Sequence, residues 1–373
     1  MNEGLMLEFA QRTGLTSGTG PQRYLWTDAF AVCNFLELNH QAGDTRFLDL
    51  AVQLVDQVHH TLGQHRSDDP RRGWISGLAD EEGARHPTAG GLRIGKPLRE
   101  RRPDEPFDER LEWERDGQYF HYLTKWMHAL QRLSQVTSEA HYCRWAIELA
   151  QTAHARFTYT STGSRRRMHW KMSIDLSRPL VPSQGQHDPL DGLITYQQLS
   201  ASGQAAGESC SDLAAEIDEL ARMCDGEHWQ TTDPLGLGGL LVDLCRTAQL
   251  LQRVSIKPPQ LFAQLLDSVL PGVRSYAQQD PLQQPAAYRL GFRELGFSIG
   301  LRAVQRLRPF ARNETEFTEQ IEQILRHQAL ADEIEAFWRQ PANREVDSWT
   351  AHGDINEVML ATSLAPDGYL GPC

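Results

Sequence analysis

The chain has 373 residues, 40% of them apolar, and a formal net charge of −12. That length holds two average domains or one large helical one, and the acidic balance argues against nucleic acid and anionic membrane as partners. No apolar run reaches the roughly 18 residues of a membrane span. Met1–Gly20 lacks the basic start and apolar core of a signal peptide, so a cytoplasmic protein is expected. The cysteines at 33, 143, 210, 224, 245 and 373 form no CxxC pair and read as reduced, mostly buried thiols.

Asn2–Arg12 reads as a short amphipathic helix, closed by Gly14 and the turn run Ser17-Gly18-Thr19-Gly20-Pro21. Tyr24–Asn39 is a helix of another kind, with Leu25, Ala29, Val32, Phe35 and Leu36 covering much of its surface. Asp44 then caps a half-exposed helix. Its apolar stripe runs Phe47, Leu48, Ala51, Leu54, Val55, Val58, Leu62, while Asp49, Gln53, Asp56, Gln57 and His60 face water. This alternation of inner and outer helices continues. Outer patterns recur at Ser138–Phe157, Ser211–Cys224, Pro259–Ala277 and Glu314–Trp338. Inner ones recur after Asp116-Gly117 as far as Leu133, and at Asp188–Leu199, Pro234–Val254, Tyr288–Leu307 and Asp354–Leu364. Glycines 236, 238, 239, 291, 296 and 300 sit in the fourth and fifth inner helices. An interior Gly costs a helix about 1 kcal/mol against Ala, so close backbone approach is expected there. No alternating pattern is long enough for a core strand.

Six outer–inner pairs predict an all-α closed ring in a single domain spanning residues 1–373. In this arrangement the chain resembles the six-hairpin glycosidase-like (α/α)6 toroid superfamily. The resemblance implies a central funnel ringed by the inner helices, with ligands bound where outer helices lead into inner ones. It also implies an activity among glycoside hydrolases, sugar epimerases or isomerases, and polysaccharide lyases. No stretch matches one member's active site residue by residue, so it assigns no catalytic residue.

The interval from Asp28 to Asp116 is nearly twice that from Asp188 to Asp233, and the surplus lies in two insertions, 64–115 and 159–187. Both precede an inner helix and belong at one mouth of the ring, where insertions gather on a binding face. They carry Trp74, His86, Arg93, Lys96, Trp113, His169, Trp170 and Lys171. Rings interleaved with Gly, His and long cations suit a saccharide, and Arg93 and Lys96 suit an anionic group on it. Either these tryptophans meet the ligand or they plug the loops onto the rim. Gly90–Lys96 satisfies G-x-x-x-x-G-K, but Pro97 follows where a P-loop needs Ser or Thr, and no strand precedes it. A nucleotide site is rejected.

Acids at helix starts are preferred caps, and Asp188-Pro189 and Asp233-Pro234 are cap plus first-turn proline. A ring would nevertheless converge such starts on one funnel and permit paired-carboxylate chemistry. Asp116, Asp188 (beside His187) and Asp354 (beside His352) are the candidates. Glu294 joins them as a carboxylate in an apolar helix beside Arg293, to be read either as a structural ion pair or as a funnel acid. Gln118, His121 or Tyr122, and Lys125 draw a polar strip on a buried helix, which requires a wet cavity or buried partners. No metal or cofactor is implied: there is no HExxH, His/Cys cluster or calcium loop.

Three functions stay open. The leading one is a glycoside hydrolase acting on a short, anionic-compatible saccharide through paired carboxylates. An epimerase or isomerase using His187 and His352 is the second, and a toroid that only binds ligand or protein is the third. In each, Arg93, Lys96, His169 and Lys171 are expected to face the ligand, with Trp113 and Trp170 as buried anchors. Arg93→Ala and Lys171→Ala would then weaken binding and leave folding almost unchanged.

Overall fold

Helices take up 64% of the computed structural model and strands 4%, so the fold is all-α, as the helical periodicity of the chain requires. Described are residues 1–161, 163, 165–205, 213–254, 256–258, 260–279, 281–313 and 315–371. Cys210, Ser211 and Cys373 lie outside them. Cysteines 33, 143, 224 and 245 are buried. No helix among the described residues is long and apolar enough to cross a membrane. The chain divides within α1 (Asn2–Arg12) into two compact units, residues 10–225 and residues 1–9 with 226–372.

The unit of residues 10–225 holds three helical hairpins. They are α2 (Leu25–Ala42) with α3 (Thr45–Leu62), α4 (Phe120–Thr137) with α5 (Ala140–Phe157), and α6 (Asp188–Ala205) with α7 (Ala214–Cys224). The inner helix α4 packs on both α2 and α6, and each inner helix packs on its own outer partner. Every residue of α2 from Leu25 to Leu38 is buried, which explains why its apolar residues keep to no single face. Asp44 caps α3 by accepting from the Arg46 N–H. The core meets a polar group at His59 of α3, which accepts from the Trp126 indole N–H at 3.1 Å. Burial drives this imidazole down to about 3, so it stays neutral and free to accept.

The third inner helix begins at Asp188 as expected, but α4 begins four residues after Asp116. Gln118–Tyr119 are extended and pair antiparallel with Lys171–Met172. A second ribbon joins Thr158–Thr160 to Arg166–Met168. These ribbons give the two insertions a path, and neither forms a core sheet.

The other unit repeats the design with α8 (Pro234–Leu251), α9 (Leu261–Gln278), α10 (Gly291–Gln305), α11 (Thr318–Leu325), α12 (Ala329–Arg339) and α13 (Gly353–Leu364). The last outer pattern is thus broken in two, and Tyr288 belongs to a 3-10 turn ahead of α10. The inner α10 packs on α8 and α13. The glycines account for the closeness of α8 and α10. A Cβ on Gly238 would lie 2.1 Å from the Gly296 carbonyl oxygen, and one on Gly300 would lie 2.7 Å from that of Gly238.

Candidate functional site

The two insertions are stitched together ahead of α4. Gln118 is fully buried; its Nε2 donates to the Gly90 and Ile174 carbonyls (3.0 and 2.6 Å), and its Oε1 accepts from Leu92 N–H at 2.8 Å. Gly91 turns at φ +73°, and any side chain there would collide with this amide. Leu92 and Ile94 are buried, and the Ile94 carbonyl accepts the Leu25 N–H that opens α2. The glycine-rich segment is therefore a packed wedge, not an open lid.

Its cations are internal as well. Arg93 donates to Asp116 Oδ2 (2.9 Å) and to the Gln64 and Thr61 carbonyls. Arg66 reaches the same Oδ2 at 3.2 Å, while Asp116 Oδ1 accepts from Gly95 and Gly117 N–H, each at 3.0 Å. Asp116 has no exposed surface. The Lys96 ammonium donates to the Trp113 carbonyl.

Lys171 is fully buried and donates to Glu112 O (2.5 Å), Arg115 O (2.8 Å) and Glu112 Oε1 (3.3 Å). The expectation that Lys171 is a surface cation facing a ligand is corrected: its ammonium completes the loop backbone. Burial lowers it from its usual 10.5 to about 8. Between these values the folded state has released a proton that the unfolded state still holds, so this residue's contribution to stability rises with pH from 8 to about 10.5. The unfolding free energy of the wild type minus that of Lys171→Met is expected to climb over this window. A flat difference would show the ammonium to be unperturbed.

Other nominated groups are also engaged. Lys125 holds Asp191 at 2.7 and 2.8 Å, and Thr124 donates to the same carboxylate. His86 meets Glu148 of the outer helix α5 at 2.7 Å, and His169 stacks on Tyr159 with centroids 4.1 Å apart. Trp74 is buried against Gly83 and so plugs its loop. Trp113 is 45% exposed, contrary to its expected role as a buried anchor.

What the fold leaves open lies where α2, α4 and α6 begin. His121, in the first turn of α4, places Nδ1 3.5 Å from Asp188 Oδ1 at the start of α6. The Trp26 ring in the first turn of α2 lies 6.1 Å from the imidazole. Trp26 Nε1, His121 Nδ1 and Asp188 Oδ2 are all buried atoms without a hydrogen-bond partner, although Trp26 is 8% and Asp188 5% exposed. An unmet buried polar group is costly. Three such atoms, one of them the imidazole's own, lie together at these helix starts. Asp188 is packed from behind by Gly185, where a Cβ would lie 2.4 Å from the carboxylate.

Rings wall this place. Tyr119 stacks on His121 at 5.3 Å, Trp170 lies parallel to it at 6.3 Å, and Tyr122 lies 5.3 Å from Trp26. The Tyr24 and Tyr122 hydroxyls share a 2.6 Å hydrogen bond, and burial pushes both up, which keeps them neutral. His187 is half-buried next in the chain. The structure thus brings together His121, Tyr122, Trp170 and Asp188 among the nominated residues. Trp26, Tyr24, Tyr119 and Asp191 were missed by sequence reasoning; a Tyr and a Trp at the opening of the first inner helix were the available signal.

In the other unit, Glu294 accepts from Arg289 through Nε (2.8 Å) and Nη2 (2.6 Å) and from the Trp338 indole at 2.7 Å. This is the ion-pair alternative, with its arginine on the turn before the helix and not on a neighbouring helix. Arg293 pairs with Asp233, which also caps α8 through Gly236 N–H at 3.0 Å. His352 is exposed, its ring 5.4 Å from that of Phe292, and Asp354 is half-buried in the first turn of α13.

A separate cavity of about 340 Å³ lies between the insertions. Five arginines (66, 71, 99, 102 and 178) and four acids (68, 69, 100 and 175) line it, and Arg71 is shared by Asp69, Glu100 and Asp175. Among the described residues no group of three or more His, Cys, Asp or Glu side chains is placed to hold a metal ion.

Two solved structures resemble the chain along 98% of its length. One is a family 76 glycoside hydrolase from a bovine Bacteroides thetaiotaomicron strain, with TM-score 0.55, 10% identity and 76% of its own chain covered. The other is a sugar epimerase from a ruminal bacterium, with TM-score 0.50, 11% identity and 98% of its own chain covered. No family model and no curated protein matches the sequence.

Proposed function

We propose a function for a chain whose fold is that of the six-hairpin glycosidase-like (α/α)6 toroids: a carbohydrate-active enzyme that transfers a proton on a sugar through His121 and Asp188. One observation carries this reading, the His121–Asp188 pair at 3.5 Å, in which His121 Nδ1 and Asp188 Oδ2 have no hydrogen-bond partner. Imidazole titrates near neutrality and can take a proton from the carbon beside an open-chain sugar's carbonyl. Asp188 would orient it and stabilise the imidazolium. The indole N–H of Trp26 and the ring walls would hold hydroxyls and apolar sugar faces.

This favours epimerisation or isomerisation, with His121 in the place that sequence reasoning gave to His187 and His352. Paired-carboxylate hydrolysis needs two free acids, and Asp116, Glu294 and Asp191 are held by cations. A glycosidase remains the second reading because the buried Asp188 Oδ2 is suited to protonate a leaving oxygen.

Proton NMR in D2O on a panel of free aldoses and short saccharides separates the two. Proton transfer at carbon predicts deuterium uptake at a stereocentre with no new reducing ends, and hydrolysis predicts new reducing ends. Binding without turnover would leave a ligand-binding toroid. Turnover undiminished in both His121→Ala and Asp188→Asn would remove the proposed site.

A further inference from the structure

The cavity between the insertions takes Arg66, Arg71, Arg99 and Arg102 from the first of them and Asp175 and Arg178 from the second. Its four carboxylates are already engaged. Asp68 accepts from Arg66 Nε at 2.7 Å, and Asp69, Glu100 and Asp175 surround Arg71 at 2.8, 2.9 and 2.7 Å. Glu100 Oε2 also accepts from the Ile174 N–H, and Asp175 Oδ1 from the Ser173 and Ser177 hydroxyls. The arginines are less completely matched. Arg99 shares the single carboxylate of Glu105 with Arg115. Arg178 is half-buried and gives one N–H to the Arg101 carbonyl, while Arg102 is exposed. Among the described residues no carboxylate is paired with either of these two. In a chain of net charge −12, two guanidiniums brought to one cavity without a counter-ion leave room for an anion.

We propose that this cavity binds a small phosphate monoester through Arg102 and Arg178. Guanidinium forks match the oxygens of a phosphoryl group. A monoester carries close to two negative charges at neutral pH and so balances both arginines, where a carboxylate balances one. The cavity, about 340 Å³, lies within the roughly 300–1,000 Å³ of small-molecule sites, so the organic part of the ligand fits beside its phosphoryl group. Neither His121 nor Asp188 lines it, so the site is separate from the proposed reaction and does not depend on it. Arg102 belongs to one insertion and Arg178 to the other, so the ligand bridges them. Arg66 on the same wall donates to Asp116, which ties that bridge to the loop leading into α4.

The test is calorimetric titration at constant ionic strength with glucose 6-phosphate, ribose 5-phosphate, inorganic phosphate and glucuronate. The wild type is expected to bind at least one monoester, and to bind inorganic phosphate and glucuronate more weakly. That monoester should also raise the thermal midpoint. Arg102→Gln and Arg178→Gln should each weaken its binding about tenfold, the worth of a hydrogen bond to a charged group. Asp188→Asn should bind it as the wild type does. The exposed Arg102 side chain holds no carboxylate, so Arg102→Gln carries the test even if Arg178→Gln, which loses its bond to the Arg101 carbonyl, does not fold. Binding that is unchanged in Arg102→Gln, or lost in Asp188→Asn, would put the phosphate elsewhere and overturn the proposal. Inorganic phosphate or glucuronate binding as tightly as the monoesters would overturn the ligand class, and no binding by either monoester would overturn the site.

Discussion

Asp188→Asn is expected to lower turnover by about 10²- to 10⁴-fold, the range that a positioned acid or base contributes, without loss of stability. Asp188 is 5% exposed, its Oδ2 has no hydrogen bond, and its Oδ1 lies 3.5 Å from His121 Nδ1. Holding an incompletely bonded charge inside the protein is unfavourable, so its neutral isostere should fold at least as well. Functional groups kept at a cost to stability behave this way. The checks are a thermal melt and the NMR assay on the same preparation. Full turnover in Asp188→Asn would rule the residue out, and a large drop in melting temperature would make it structural.

Asp116→Ala is expected to do the opposite and lose about 3–5 kcal/mol of unfolding free energy, the cost of leaving buried charges without their partner. Arg66 and Arg93 would both lose the Oδ2 they share, and the Gly95 and Gly117 N–H groups would lose Oδ1. Asp116→Asn keeps an oxygen for the two backbone donors and should lose less than Ala. Urea unfolding of the three proteins orders them. If Asp116→Asn is as stable as wild type and inactive, Asp116 returns to the chemistry.

These two aspartates look alike in sequence, each an acid before Gly or Pro at the head of a buried helix. Asp233 shares the setting and is a cap, as is Asp44 ahead of the outer helix α3, their side chains accepting from Gly236 and Arg46 N–H. Capping is legible because its partner lies two or three residues on. The partners of Asp116 lie far upstream, on a loop whose path is set by Gln118 and by glycines at positive φ. No periodicity reports such a path. Lys171 shows the same limit, since a lysine beside a tryptophan reads as a surface cation until the Glu112 and Arg115 carbonyls are found around it.

The helical class and the inner–outer alternation were determined by the sequence alone. Solvent exposure imposes a local period on each helix, and a helix of 18 residues such as α3 samples it several times over. Gly238 and Gly300 were legible as sites of close helix packing, whereas Gly239 in the same run is exposed with open space around it. The polar strip on α4 announced that something polar must face it, but not what. Lys125 and His121 lie four residues apart on that strip; tertiary structure gives one a carboxylate and leaves the other with an open nitrogen. Which group is satisfied depends on Asp188 and Asp191, three residues apart at the start of another helix. That choice is made by the rotation of α6 against α4, a packing variable with no local signature in the chain.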